Sequence, residues 1–147
     1  MRFVLERLRK EISEKRYLDT VIHSFISIVL CIIFTKLLNV PLEKVLILVF
    51  VGSFIPDIDH LLLYKKSKFR SFKNFIRWII KSDRYRVGFE LFHNLPVILL
   101  IILFLPYLYL KTKFSFIFFT AFLLHLITDL VLDRIVVKNI RWWRFGI

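Results

Sequence analysis

The sequence predicts an all-α protein built as an integral membrane bundle of four transmembrane helices. Of its 147 residues 58% are hydrophobic, and the mean hydropathy is +0.69, whereas soluble globular domains are usually about 45–50% apolar. Four apolar runs approach the ~20 residues needed to cross a bilayer. None shows the period-two alternation typical of strands. The runs are approximately Thr20–Leu38, Val45–Leu63, Phe89–Leu110 and Phe114–Leu132.

The connections between these runs indicate how the bundle is arranged. Residues 39–44 and 111–113 are short enough for tight turns between antiparallel helices. No internal repeat or change of composition divides the chain, so we expect residues 1–147 to form a single membrane domain.

The net charge of +12 is distributed unevenly. All but four of the 23 lysines and arginines lie before the first run, between the second and third, or after the fourth. The exceptions are Lys36, Lys44, Lys111 and Lys113. This asymmetry predicts that both termini and the middle connection are cytoplasmic. We therefore interpret the charge as a topology signal rather than nucleic-acid binding, although basic loops bind phosphate whatever carries it.

Two charged segments combine apolar and basic faces at helical spacing. Residues 1–18 place Phe3, Leu8 and Ile12 opposite charged side chains, and the connection over residues 64–87 has the same pattern. We expect amphipathic helices in the membrane interface, held by apolar burial and by attraction to anionic lipid. Basic helices packed on the cytoplasmic end of the bundle are the alternative.

Ionisable residues recur in the apolar runs at one level of the predicted bundle. At a rise of ~1.5 Å per residue in alternating helices, seven groups share a layer about 5–13 Å below the cytoplasmic surface of a core ~30 Å thick. Scattered packing histidines would have no reason to share a depth. The seven are His23, Asp57, Asp59, His60, His93, His125 and Asp129.

The free-energy cost of placing these ionisable groups in a membrane favours a bound cation. An aspartate in a spanning helix costs about 2.5–3.5 kcal/mol on insertion scales and usually faces partners inside the protein. Imidazole and carboxylate suit zinc, manganese or iron. His125 and Asp129 share one helix face, while Pro56 interrupts the helix ladder beside Asp57. We therefore predict a divalent metal site. Two alternatives are that Asp57 only caps a helix and that the polar residues form a purely structural network.

Other polar residues near this layer have less specific interpretations. Asp19 precedes His23 by one turn and could orient it, while Glu90 precedes His93 at i,i+3, where solvation is equally consistent. Arg84 and Arg86 could hold an anionic substrate or lipid headgroup, or anchor the helix at the membrane boundary. Two further residues, Asn94 and Thr128, could be polar helpers or packing residues.

The order of these motifs resembles the YdjM-type family of inner-membrane metal-dependent hydrolases. The matching elements are His23, the G-x-x-x-P-D-x-D-H segment Gly52–His60, His93, and the H-x-x-x-D pair of His125 and Asp129. The ligand order is also distantly similar to that of zinc-dependent phospholipases C. This chain departs from the family pattern beside His93, where Phe92 and Asn94 replace a threonine and a serine.

The resemblance implies metal roles for particular residues. These are His23, Asp57, His93, His125 and Asp129, and the resemblance extends a metal role to His60 and Asp59 as well. It favours one or more zinc ions and a membrane-embedded hydrolase for phosphate esters, with an anionic phospholipid as the substrate or partner. Asp59 would accept the proton of the metal-activated water. A membrane metal-binding or ion-conducting bundle without enzymatic activity is the alternative. The sequence does not predict an oligomeric state.

Overall fold

The computed structural model describes residues 17–58, 71, 74 and 91–136 of the chain. The described residues form four α-helices and no strand, which confirms the all-α prediction. The elements are α1 (Tyr17–Leu38), α2 (Leu42–Phe54) with a 3-10 turn (Ile55–Asp57) directly after it, α3 (Leu95–Lys111) and α4 (Lys113–Val136).

Helix α4 packs against each of the other three helices. Its first residue, Lys113, donates from Nζ to the carbonyl of Leu38 at the end of α1, at 2.8 Å. Near its other end, Asp129 contacts His23 close to the start of α1. Helices α1 and α4 are therefore antiparallel.

The remaining contacts fix the directions of α2 and α3. Lys44 at the start of α2 lies over the ring of Phe114 at the start of α4, 5.7 Å from its centroid. Tyr109 near the end of α3 packs edge-on against Phe116 of α4. Helix α2 therefore runs parallel to α4, and α3 runs antiparallel to it, so successive helices alternate in direction as predicted.

Two hydrophobic clusters hold the bundle together. The first joins α1, α2 and α4, and the second joins α3 and α4. Close van der Waals packing of these side chains holds α1, α2 and α4 together and α3 against α4. The best-buried members are Val45, Val49, Ile117 and Ala121 in the first cluster and Leu126 in the second.

The ends of α2 and α3 differ from the predicted spans. Helix α2 ends at Phe54 because Pro56 has no N–H for the helix ladder, and a 3-10 turn follows. Helix α3 begins at Leu95 and not near residue 89, because Asn94 caps its N-terminus. These two helices have 13 and 17 residues.

Within the described residues, two helices are long and apolar enough to span a membrane, at Thr20–Leu38 and Lys113–Leu132. The described residues therefore show two of the four predicted membrane-spanning helices, and the predicted second span extends beyond them to Leu63. Only 17% of the first apolar stretch and 33% of the second are buried, whereas the core helix of a soluble protein is mostly buried. Large apolar side chains instead cover the outside of the bundle.

The predicted interfacial helices over residues 1–18 and 64–87 lie almost wholly outside the described residues.

Candidate metal centre

Four side chains from three parts of the fold converge at one end of the bundle. The 3-10 turn after α2 contributes Asp57, the residue pair before α3 contributes His93, and α4 contributes His125 and Asp129. One ligand atom from each of these residues lies within 4.8 Å of the others. This spacing is short enough for all four atoms to bind a single ion.

The carboxylate of Asp129 lies at the centre of the group. Its Oδ2 is 3.0 Å from Nε2 of His93 and 3.2 Å from Nε2 of His125. Its Oδ1 is 2.9 Å from Nε2 of His23 on α1. One carboxylate therefore contacts imidazoles from α1, from the segment before α3 and from its own helix.

Asp57 completes the group from the side of α2. Its Oδ1 lies 3.4 Å from Nε2 of His125. This nitrogen is buried, and among the described residues it has no hydrogen-bond partner of acceptable geometry, although two carboxylate oxygens lie close to it. A buried imidazole nitrogen that faces two carboxylate oxygens without an aligned hydrogen bond is the arrangement expected when these three atoms point toward a common cation.

The group is shielded unevenly from solvent. The side chains of His93 and His125 are 2% and 6% exposed, and Asp129 is 19% exposed. Asp57 is 43% exposed. The described part of the site is therefore closed on the side of α3 and α4 and most open at Asp57.

The histidine rings also pack on one another. The ring of His125 lies 4.4 Å from that of His23 and 5.9 Å from that of His93, measured between centroids. The three rings are therefore packed closely enough for their Nε2 atoms to face the same carboxylate of Asp129.

Asn94 fixes the position of His93 by capping α3. Its Oδ1 accepts from the N–H of Val97 at 3.0 Å, and its Nδ2 donates to the carbonyl of Leu91 at 2.6 Å. From the sequence, Asn94 could either assist the site as a polar residue or serve in packing. The structure shows that it is the N-cap of α3. Thr128, by contrast, donates to the carbonyl of Leu124 in its own helix.

The sequence did not single out a second polar pair next to the site. The hydroxyl groups of Ser27 on α1 and Ser53 on α2 lie 3.4 Å apart and half buried. Ser27 follows His23 by one helical turn, so the pair joins α1 to α2 next to the histidine layer. The sequence feature that could have indicated this pair is the presence of Ser27 and Ser53 within long apolar runs.

The structure brings together five of the residues predicted to bind metal, namely His23, Asp57, His93, His125 and Asp129. The other predicted site residues lie outside the described residues, and these are Asp59, His60, Arg84, Arg86 and Glu90. Asp19 belongs to α1, but its side chain is not among those described.

The donor set of the group fits a divalent metal ion. Two imidazole nitrogens and two carboxylate oxygens provide four ligands, the usual number for zinc, and no thiolate takes part. His23 contacts the second oxygen of Asp129, where an imidazole commonly orients a metal-binding carboxylate or binds metal itself. The residues present are therefore sufficient to hold one ion, and they do not select among zinc, manganese and iron.

Comparison with known proteins supports part of the resemblance found in the sequence. The sequence model of the YdjM inner membrane protein family matches residues 18–144. Searches of curated proteins and of solved structures found no significant match, so the similarity to zinc-dependent phospholipases C receives no support from them. The family match includes all five residues of the convergent group. The chain therefore belongs to the YdjM inner membrane protein family.

Proposed function

We propose that the protein is a membrane metal-dependent hydrolase whose divalent cation is bound by Asp57, His93, His125 and Asp129. The observation that carries this proposal is the convergence of four ligand atoms within 4.8 Å. These residues come from separate apolar segments, so their meeting depends on the packing of the whole bundle. A cation offsets the cost of two carboxylates in a weakly hydrated site.

The proposal includes four membrane crossings, with both termini and the metal site on the cytoplasmic side. Alternation of helix direction supports this topology. Helices α2 and α3, about 20 Å and 25 Å long at ~1.5 Å per residue, are shorter than a hydrocarbon core of ~30 Å. Local thinning of the bilayer accommodates short spans at a modest cost.

The residues of the site have separable roles in the proposed chemistry. Asp129 and the buried histidines His93 and His125 hold the ligand geometry rigidly. The more exposed Asp57 completes it on the open side. A bound cation would lower the pKa of a water ligand toward ~7 and polarise an ester oxygen. We further propose that Asp59, which lies outside the described residues, accepts the proton from that water.

The location of the site favours a substrate that is itself in the membrane. The ligand atoms lie near the end of the bundle, and apolar side chains cover the helices below them. A phosphate ester of a lipid could place its headgroup at this level while its acyl chains stay in the bilayer. Arg84 and Arg86, beyond the described residues, are the proposed contacts for the phosphate charge.

The test is hydrolysis by purified protein in lipid nanodiscs. Metal-depleted protein receives zinc, manganese or iron(II), and cleavage of phospholipid and soluble phosphodiester substrates is measured. We expect cleavage that depends on added metal and is lost in Asp129→Asn protein. Thr128→Ala protein is the control, because the Thr128 hydroxyl donates to the carbonyl of Leu124 in its own helix.

The outcomes separate the proposal from its alternative. Full turnover after metal removal would contradict a metal-dependent mechanism. Bound metal with cation flux across proteoliposomes, and no hydrolysis of any tested ester, would instead establish a non-enzymatic metal-binding or ion-conducting bundle.

A further inference from the structure

Gly52 lies where α2 approaches the backbone of α4. A Cβ atom at this position would lie 2.5 Å from the carbonyl oxygen of Phe118 and 3.1 Å from Cβ of Ala121. The first distance is shorter than side chains tolerate, and the atom concerned belongs to the helix backbone, so it cannot move aside by a rotamer change. Any side chain at this position would push the two helices apart.

This contact belongs to a continuous line of packing between the helices. Val45, Val49 and Gly52 share one face of α2 at i, i+4 and i+7 and are all buried. On α4, Ala121 faces Gly52 and His125 follows it by one turn. The packed contacts between α2 and α4 therefore continue from Gly52 to the metal ligand His125.

The metal ligands follow immediately on both helices. The 3-10 turn containing Pro56 and Asp57 begins right after α2, and Pro56 is fully buried. Because this connection is short, the position of Asp57 depends on the position of α2. Oδ1 of Asp57 lies 3.4 Å from Nε2 of His125. A change in the distance between α2 and α4 at Gly52 would consequently change the distance between these two ligands.

We propose that Gly52 is a positioning residue for the metal site: it allows α2 to approach α4 closely enough for Asp57 to share one cation with His125. This inference rests on the proposed metal site and assigns Gly52 a role in setting its affinity. Gly52 itself supplies no ligand atom to the group. The other three ligands are positioned by α3 and α4 and do not depend on this contact.

A purely structural role for Gly52 makes a different prediction. Alanine is a better helix former than glycine, so a loss of zinc affinity in Gly52→Ala protein cannot come from helix propensity. If the substitution only weakened packing, it would affect the protein equally whether or not Asp57 is present. A positioning role acts through Asp57 alone, and a double-mutant cycle separates the two.

The experiment measures zinc affinity in detergent by competition with a chromophoric chelator. The four proteins of the cycle are wild type, Gly52→Ala, Asp57→Ala and the double variant. Val51→Ile is the matched control, because it also adds one carbon to α2 but at a side chain exposed on the outer face. Circular dichroism and size-exclusion chromatography report folding for each protein.

We expect Gly52→Ala to weaken zinc binding about 10- to 100-fold, the range found when groups that orient a ligand are changed. In the Asp57→Ala background the same substitution should change affinity by no more than about twofold. Val51→Ile should bind zinc as wild type does. An equal loss in both backgrounds, or wild-type affinity in Gly52→Ala, would overturn the role of Gly52 while leaving the metal site intact.

Ala121→Ser keeps the inference testable if Gly52→Ala does not fold. It adds a single oxygen atom on the α4 side of the same contact, and we expect a smaller loss of zinc affinity that also disappears in the Asp57→Ala background. Persistence of that loss without Asp57 would contradict the inference. Wild-type protein that binds no zinc would overturn both the inference and the proposed metal site.

Discussion

Asp57 and His125 meet at the end of the α2–α4 contact, with Oδ1 of the aspartate 3.4 Å from Nε2 of the histidine. The two residues belong to different apolar runs of the sequence. Their meeting makes four ligands available to one cation, because His93 and Asp129 already lie beside His125.

Asp129→Asn should abolish tight metal binding. The substitution preserves the size of the side chain but removes the charge that contacts His23, His93 and His125. We expect zinc affinity, measured by chelator competition, to fall by at least about 100-fold, above the range typical of groups outside the ligand shell. Thr128→Ala, one position earlier on α4, should bind zinc normally. Equal affinities for wild type and Asp129→Asn would exclude Asp129 as a ligand.

Asn94→Ala should destabilise the protein and loosen the position of His93. The N–H of Val97 would lose its side-chain acceptor at the start of α3, and loss of an N-cap costs about 1 kcal/mol. We expect a lower free energy of unfolding in mixed micelles together with weaker zinc binding.

Asn94→Asp is the matched control, because its carboxylate can still accept from Val97 although it cannot donate to Leu91. It should recover most of the unfolding free energy. Wild-type stability in Asn94→Ala protein would show that the cap has no energetic role.

Cysteine labelling should place the two short connections on the side of the membrane opposite the termini. Single cysteines replace Asn39, Thr112 or Gly146 in a chain whose own Cys31 has been changed to alanine. A membrane-impermeant maleimide should label positions 39 and 112 in intact spheroplasts. Position 146 should react only after lysis.

Labelling of positions 39 and 112 at different sides would contradict antiparallel packing of all four helices across the bilayer. Labelling of position 146 in intact spheroplasts would contradict the predicted cytoplasmic termini.

The sequence predicted the helical class and the level of the site because both follow from simple periodicities. Long apolar runs without alternation require helices, and a fixed rise per residue converts chain position into depth. His23, His93, His125 and Asp129 were expected to share a depth on these grounds, and the structure places them in contact.

The ends of the helices depended on side-chain chemistry at single positions. The sequence-based spans placed the start of α3 near residue 89, whereas the cap at Asn94 begins the helix at Leu95. The sequence identified Pro56 as a break in the helical hydrogen bonding, but it did not predict that α2 ends at Phe54 and that a 3-10 turn follows. Boundaries of this kind are decided by local hydrogen bonds that a hydropathy pattern does not contain.

The role of Gly52 could not be deduced from the sequence alone. Its small size matters only because Phe118 and Ala121 lie opposite it, and this register is set by the packing of α2 on α4. In the same way, hydropathy could not show which oxygen of Asp129 faces His23 and which faces His93.

Elemental analysis of the purified protein tests the central claim most directly. Protein in detergent is dialysed against trace zinc without chelator, and bound metal is measured by mass spectrometry against protein concentration. We predict about one equivalent of zinc or more in the wild type, and its loss in both His125→Ala and Asp129→Asn. Folded wild-type protein without bound metal, or variants that retain the full wild-type amount, would contradict the claim that these side chains converge on a cation.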